Sequence, residues 1–198
     1  KLNISWHAQA GLHIAHLTRG ILDKLVLSGL YTLCAQIETC CQKTLEYIHK
    51  RINLDHVRDI ITYANQLGLF TQSNIILGFY FETEEDIRES ISVAESLGVD
   101  KINYMLAIPK EHTPMYEDCL RAGVVSKNKP VKMPINTLYL KADRLQAICK
   151  RANRNHYFIR SQQLLTAAHF FRELLPKLNS YGKIRYLGRR ILQEFGLL

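Results

Sequence analysis

The run Ile76-Leu77-Gly78-Phe79-Tyr80-Phe81-Glu82-Thr83-Glu84-Glu85-Asp86 constrains the fold more than any other stretch, because it compresses the end of a buried strand, a sharp turn and a helix start into eleven residues. It reads as a β/α junction. Thr83 and Asp86 have capping-box spacing, and Ile87, Ile91, Ala94 and Leu97 continue as one apolar helical stripe that Gly98 ends. Junctions of this kind line the C-terminal mouth of a parallel sheet or barrel, where ligands bind.

The same alternation runs through the preceding chain. Leu2-Asn3-Ile4-Ser5-Trp6 alternates apolar and polar as a strand does, and Gly20 to Leu27 carries Ile21, Leu22, Leu25 and Val26 on a helix that stops at Ser28-Gly29. Leu30 to Ile37 is strand-like again. Leu54, Val57, Ile60, Ile61, Ala64 and Leu67 mark the next helical face, with Asn53 as its cap and Gly68 as its end. Further strands fall at Gln72 to Gly78 and Lys101 to Ile108, so the order is β-α-β-α-β-α-β. Apolar runs such as Asn74 to Leu77 and Met105 to Ile108 predict strands covered on both faces, hence a parallel sheet. Four such strands make a partial barrel. The chain begins at Lys1 without a methionine, on a strand with nothing ahead to pair it, and so reads as a fragment.

With 198 residues and 47% hydrophobic content, one sizeable core plus an appendage is expected. No stretch reaches the roughly 18 apolar residues of a membrane span, and no leader peptide opens the chain. The five cysteines, Cys34, Cys40, Cys41, Cys119 and Cys149, are odd in number and too sparse for a disulfide scaffold. A reducing, cytoplasmic location is the expectation. His7, His13 and His16 are spaced so that imidazoles can meet, but no carboxylate or Cys is aligned with them, and no metal site is expected. Cys40-Cys41 reads as two ordinary thiols.

After about Val125 the character changes. Residues 127–198 hold 15 Lys or Arg against Asp143, Glu173 and Glu194, while the preceding part is net acidic. This predicts a barrel portion over 1–126, a linker over 127–136, and a basic all-α region over 137–198, with helices near Leu138 to Ala152, Ile159 to Leu175 and Lys183 to Phe195. Lys183, Arg185, Arg189 and Arg190 fit either a solvated helix face or an anion-binding one.

Three junctions resemble, in order and spacing, segments of the radical S-adenosylmethionine (SAM) superfamily. Gln36-Ile37-Glu38-Thr39-Cys40-Cys41-Gln42, with Leu45, Ile48 and Lys50 beyond it, is similar to the fourth-strand segment G-I-E-S-G-S-Q. Ile76 to Asp86 is similar to the fifth-strand segment I-L-G-x-P-G-E-T-x-E-D, and Pro109-Lys110-Glu111-His112-Thr113-Pro114-Met115-Tyr116-Glu117 to the sixth-strand segment P-Y-P-G-T-P-L-Y-E. The resemblance covers about Lys1 to Gly123 and implies the third to sixth strands of a (β/α)6 TIM-like partial barrel. Arg151 to Arg160 is loosely similar to a basic-aromatic helical segment of members that carry a cobalamin-binding domain upstream.

By this resemblance, Glu38 lies near the ribose and methionine of SAM. Ile76 and Gly78 meet the adenine, and Ala107, Ile108 and Pro109 complete its wall. The implied chemistry is hydrogen abstraction from a substrate by a 5′-deoxyadenosyl radical, with SAM and a [4Fe-4S] cluster as cofactors of the complete protein and cobalamin as a third in that subgroup. The substrate is not readable. The implied partners are the missing N-terminal half of the barrel and a cobalamin-binding domain. The departures weigh as much as the matches. The C-x3-C-x2-C cluster loop is missing, so the chain by itself is expected to be inactive, and Gln36, Tyr80, Phe81 and His112 replace usual Gly or Pro. Glu38 also fits a structural role, as a strand-end carboxylate paired with a nearby Lys or Arg. The alternative to an enzyme portion is a non-catalytic or degenerate module whose basic tail binds RNA, an anionic membrane surface or an acidic partner domain.

Overall fold

Among the described residues, four parallel strands paired in chain order curl into a half-barrel backed by helices. The structure is a computed structural model, describing residues 4–8, 10–127 and 134–165, with side chains to His156. The strands are β1 (Trp6–His7), β2 (Leu30–Glu38), β3 (Phe70–Leu77) and β4 (Lys101–Leu106). The helices are α1 (Arg19–Leu27), α2 (Gln42–Tyr47), α3 (Leu54–Gln66), α4 (Glu84–Ser96), α5 (Pro114–Arg121) and α6 (Ala142–Leu165). Chain order therefore matches the expected alternation, and every strand pair is parallel.

Local signals act where the spacing places them. Asn53 caps α3 by accepting from the amides of Asp55 and His56, and Thr83 and Asp86 form the reciprocal capping box of α4. The apolar stripes of α1, α3 and α4 pack on the outer face of the sheet, where Leu22, Val57, Ile60, Ile61, Ile87 and Ala94 meet Leu33, Ile75 and Leu77. Fully burying one such side chain is worth roughly 1.5–3 kcal/mol, so this layer carries most of the cohesion.

The expectation that β3 is covered on both faces is corrected. Thr71, Ser73, Ile75 and Leu77 are buried, whereas Gln72, Asn74 and Ile76 are only half-buried. The helices cover one face; the other is the concave face of the half-barrel, open because four strands do not close a barrel.

The first compact unit runs through Phe158, and the second comprises Ile159–Leu198. Residues 135–156 therefore share the core of the barrel: Leu145, Ile148, Cys149 and Ala152 of α6 belong to the same apolar cluster as the sheet. The break expected between Ala152 and Ile159 is absent, since α6 continues to Leu165. Nothing in that stretch is a strong helix breaker, so the basic-aromatic run propagates the helix instead. Most of the expected linker, most of the helix expected over Ile159 to Leu175, and all of that over Lys183 to Phe195 lie outside the described residues.

Helix α6 lies along the outer side of β4. Asn153 accepts from the amide of Tyr104 at 3.0 Å and donates to its carbonyl at 2.9 Å, and His156 Nε2 accepts from the amide of Ile102 at 2.9 Å. An acceptor at Nε2 places the ring proton on Nδ1, which donates to Glu95 at 2.9 Å; the other oxygen of Glu95 accepts from the Tyr104 hydroxyl at 2.7 Å. The segment before α6 straps the loop after β3, with the Leu138 amide donating to Tyr80 and the Thr137 hydroxyl to Glu82.

Candidate functional site

The strand ends bring the expected positions to one rim. Glu38 ends β2 opposite Ile75 of β3, Gly78 follows β3, and the Ala107 amide donates to the Leu77 carbonyl at 2.9 Å, setting Ala107 at the end of β3, with Pro109 two residues further along the chain. Ile76 points to the concave face, half-buried, opposite Met105 of β4.

Glu38 adopts a left-handed backbone, with φ of 70°, unusual for a residue with a side chain. Its Oε1 accepts from Lys50 Nζ at 3.0 Å, with Glu38 29% and Lys50 12% exposed at the side chain. Lys50 is returned to the rim by a turn in which His49 is also left-handed. The pairing foreseen in the structural alternative is therefore present. The geometry also leaves Glu38 Oε2 without a partner among the described residues, free to accept a hydroxyl.

Gly78 is left-handed at φ of 82°, and its amide donates to Glu82 Oε2 at 2.6 Å. A Cβ built there would lie 2.5 Å from Leu145 Cδ2. The missing side chain thus lets α6 dock, and on that side the space beside Gly78 is filled by protein. Of the replaced turn positions, only His112 is left-handed, at φ of 66°; Gln36, Tyr80 and Phe81 have backbones that accept a side chain without strain.

Below the rim the concave face is polar. Register pairing puts Cys34, Gln72 and Lys101 in one row, Asn74 and Asn103 in the next, and Ile76 and Met105 nearest the mouth. Asn103 Nδ2 donates to Asn74 Oδ1 at 3.0 Å. Burial and the neighbouring Glu38 carboxylate push the Cys34 thiol up, against a hydrogen bond from Gln72. Sequence reasoning missed this row. The period-2 pattern Thr71-Gln72-Ser73-Asn74 contained it, but the apolar run that follows obscured it.

Behind the mouth, Glu82 is fully buried and holds three donors: the amides of Gly78 and Phe79, the latter at 3.0 Å, and the Thr44 hydroxyl at 2.6 Å. Burial raises its carboxyl above the ordinary range, and these hydrogen bonds oppose the rise. Tyr47, Phe79, Tyr80 and Phe81 pack edge-on and tilted around this loop, with Phe81 4.8 Å from Tyr47. The Tyr47 hydroxyl donates to Asp118 at 2.6 Å.

All five cysteines are free and buried. Burial pushes Cys40 up to about 12 and Cys119 to about 11, the opposite of what a thiolate ligand needs. Among the described residues no group of three His, Cys, Asp or Glu side chains is placed to hold a metal, although the His13 and His16 rings lie 4.8 Å apart. The five cysteines, all buried and none set in a group of three ligands among the described residues, do not fit a [4Fe-4S] cluster. They do fit a hydroxyl-bearing ligand at Glu38. Among the described residues, no helix is long and apolar enough to cross a membrane.

The half-barrel resembles in fold part of two solved radical SAM enzymes. It superposes on coproporphyrinogen III oxidase of Escherichia coli, a radical SAM enzyme, with a TM-score of 0.53 and 16% identity over 72% of this chain and 31% of that one. The radical SAM methyltransferase TsrM of Kitasatospora setae, solved with cobalamin and a [4Fe-4S] cluster, matches at a TM-score of 0.51 and 15% identity, over 64% of this chain and 27% of that one. In sequence, the chain is 28% identical over 116 residues to an uncharacterized methyltransferase of Pyrococcus horikoshii, covering 59% of this chain and 25% of that protein. It is 32% identical over 97 residues to an uncharacterized protein of Methanocaldococcus jannaschii, covering 49% and 26% respectively. The chain thus spans about a quarter of the length of these curated relatives, and no family model matches it.

Proposed function

We propose that this chain is part of the catalytic barrel of a radical SAM enzyme and supplies one wall of its SAM and substrate pocket. The observation that carries this reading is the strand-end carboxylate Glu38, held by Lys50 with one oxygen uncommitted, above a polar concave face lined by Gln72, Asn74 and Asn103. The solved neighbours and the methyltransferase relative support the same class.

In this reading Lys50 orients Glu38 to accept a hydroxyl of the SAM ribose, a charge-assisted hydrogen bond. Ile76 and Met105 offer apolar surface for the base, and Ala107 and Pro109 extend that wall. Gln72, Asn74 and Asn103 present amide donors and acceptors to a substrate lying in the half-barrel. In the complete protein, bound SAM and a cluster held elsewhere would supply radical hydrogen abstraction; this chain's residues would position the ligands and exclude water. A cobalamin-binding domain elsewhere in the complete protein is a further part of the proposal, supported by the cobalamin bound in TsrM, with methyl transfer as the corresponding reaction class.

The test is SAM titration calorimetry on the intact protein containing this chain, with and without Glu38→Ala. Loss of one charged hydrogen-bond acceptor should weaken SAM binding by about 1.5–3 kcal/mol. Unchanged affinity, with lowered thermal stability in both Glu38→Ala and Lys50→Met, would leave Glu38 a purely structural partner of Lys50.

A further inference from the structure

We infer that a groove on the outside of the half-barrel, between α4 and α6, is a docking site for an acidic amphipathic helix of a partner protein or domain. The groove is an open cleft of about 510 Å³ whose floor is aliphatic, from Ile91, Ala147, Ile148 and Ala152, and whose walls carry Arg88, Arg144, Arg151 and Arg154. Among the described residues no acidic side chain lines it. It lies wholly within the compact unit that ends at Phe158 and is remote in kind from the rim, sharing none of its residues.

The four arginines divide into two pairs. Arg88 and Arg144 converge from the two helices on Glu84, donating to its Oε1 at 2.5 and 2.7 Å. This holds the Glu84 carboxyl down at about 2 and ties the head of the groove together. Arg151 and Arg154 are exposed and have no ion pair or hydrogen bond among the described residues. Two guanidinium groups with no ion-pair partner among the described residues, one helical turn apart beside a strip of aliphatic floor, match the charged edge and apolar face of an acidic helix in groove-binding geometry. RNA fits less well. No aromatic side chain lines the groove, so bases have nothing to stack on. The chain's own segment beyond Phe158 has seven Lys or Arg against Glu173 and Glu194, so charge complementarity selects a partner outside this chain.

The experiment uses the full 198-residue chain and three fluorescently labelled probes: an acidic amphipathic helical peptide of Glu and Leu in helical spacing, the same composition with the pattern scrambled, and a single-stranded RNA oligonucleotide. Anisotropy is read at low and moderate salt for the unaltered chain, for Arg151→Glu with Arg154→Glu, and for Arg185→Gln with Arg189→Gln and Arg190→Gln. The expected result is that the patterned peptide binds more tightly than the scrambled one. The groove variant should weaken it roughly tenfold or more, while the tail variant leaves it within about twofold. Both altered sets involve polar, charged positions, and circular dichroism and a thermal melt check that the fold is retained. If peptide binding is absent at low salt, is indifferent to pattern, or depends on the tail variant instead, the inference fails. Tighter RNA binding that the groove variant abolishes would overturn it in favour of a nucleic-acid surface.

Discussion

Removing the Glu82 carboxylate should loosen the loop that shapes the mouth, by an amount set by the donors it leaves behind. In Glu82→Ala the buried amides of Gly78 and Phe79 lose their acceptor, as does Thr44, whose hydroxyl can rotate to seek another. Two buried N–H groups left unsatisfied at roughly 1–3 kcal/mol each are partly offset by no longer desolvating a carboxylate, leaving a net loss of about 3 kcal/mol. For a chain of this size that lowers the melting temperature by roughly 6–12 °C. Glu82→Gln keeps the shape: its carbonyl serves both amides and its NH2 donates to Thr44, so the loss should be about 1 kcal/mol. Because burial raises the folded-state carboxyl above its ordinary 4.5, the unaltered chain should be most stable below pH 4.5 as far as this group is concerned. That contribution is lost as pH rises through the raised value, and the Gln variant lacks the slope. Urea unfolding from pH 4 to 8 reads both effects. An Ala variant within about 0.5 kcal/mol of the parent, or a Gln variant with an unchanged pH slope, would refute the reasoning.

Gly78→Ala meets both a left-handed backbone and Leu145 at 2.5 Å, and should cost more than about 2 kcal/mol; combining it with Leu145→Ala should cost less than the sum of the two single changes, as a double-mutant unfolding cycle will show. The Glu84 carboxyl should titrate near 2 by NMR, so its pairing with Arg88 and Arg144 is lost only as pH falls through that value; replacing both arginines with Gln should return it toward 4.5. Anaerobic reconstitution of this chain alone with iron and sulfide should give no stoichiometric cluster, since all five thiols are buried and burial raises Cys34, Cys40, Cys119 and Cys149; about four irons per chain, lost on replacing Cys40 and Cys41, would show otherwise.

The alternation of strands and helices was legible because each junction carries its own punctuation. Thr83, Asp86, Asn53, Gly68 and Gly98 are cap and turn residues whose local chemistry acts whatever the tertiary context. The half-barrel followed from that order and from the junction motifs. Side-chain faces were less legible. Asn74 to Leu77 reads as one apolar run, yet only Ile75 and Leu77 lie under helices, because curvature decides which face is filled. Glu38 was identified as a strand-end carboxylate, but its partner Lys50 comes from a turn twelve residues on, with a left-handed His49 that no propensity announces. The role of α6 was least legible. Asn153 and His156 look like ordinary members of a basic helix until β4 is seen beside them.

That contact has a consequence for self-association. As the last strand of the sheet among the described residues, β4 has a row of backbone groups facing outward, and such a row is a ready template for a strand from another molecule. Asn153 imitates the neighbour the sheet lacks, meeting both the amide and the carbonyl of Tyr104, and His156 occupies Ile102 one step along. Helix α6 is therefore a stopper as well as a core element. Any event that lifts it, such as proteolysis after Lys141 or charge introduced beneath Leu145, would expose a pairing surface together with its apolar backing. Oligomers grown strand upon strand would follow, with deuterium exchange at the amides of Ile102 and Tyr104 as their earliest sign.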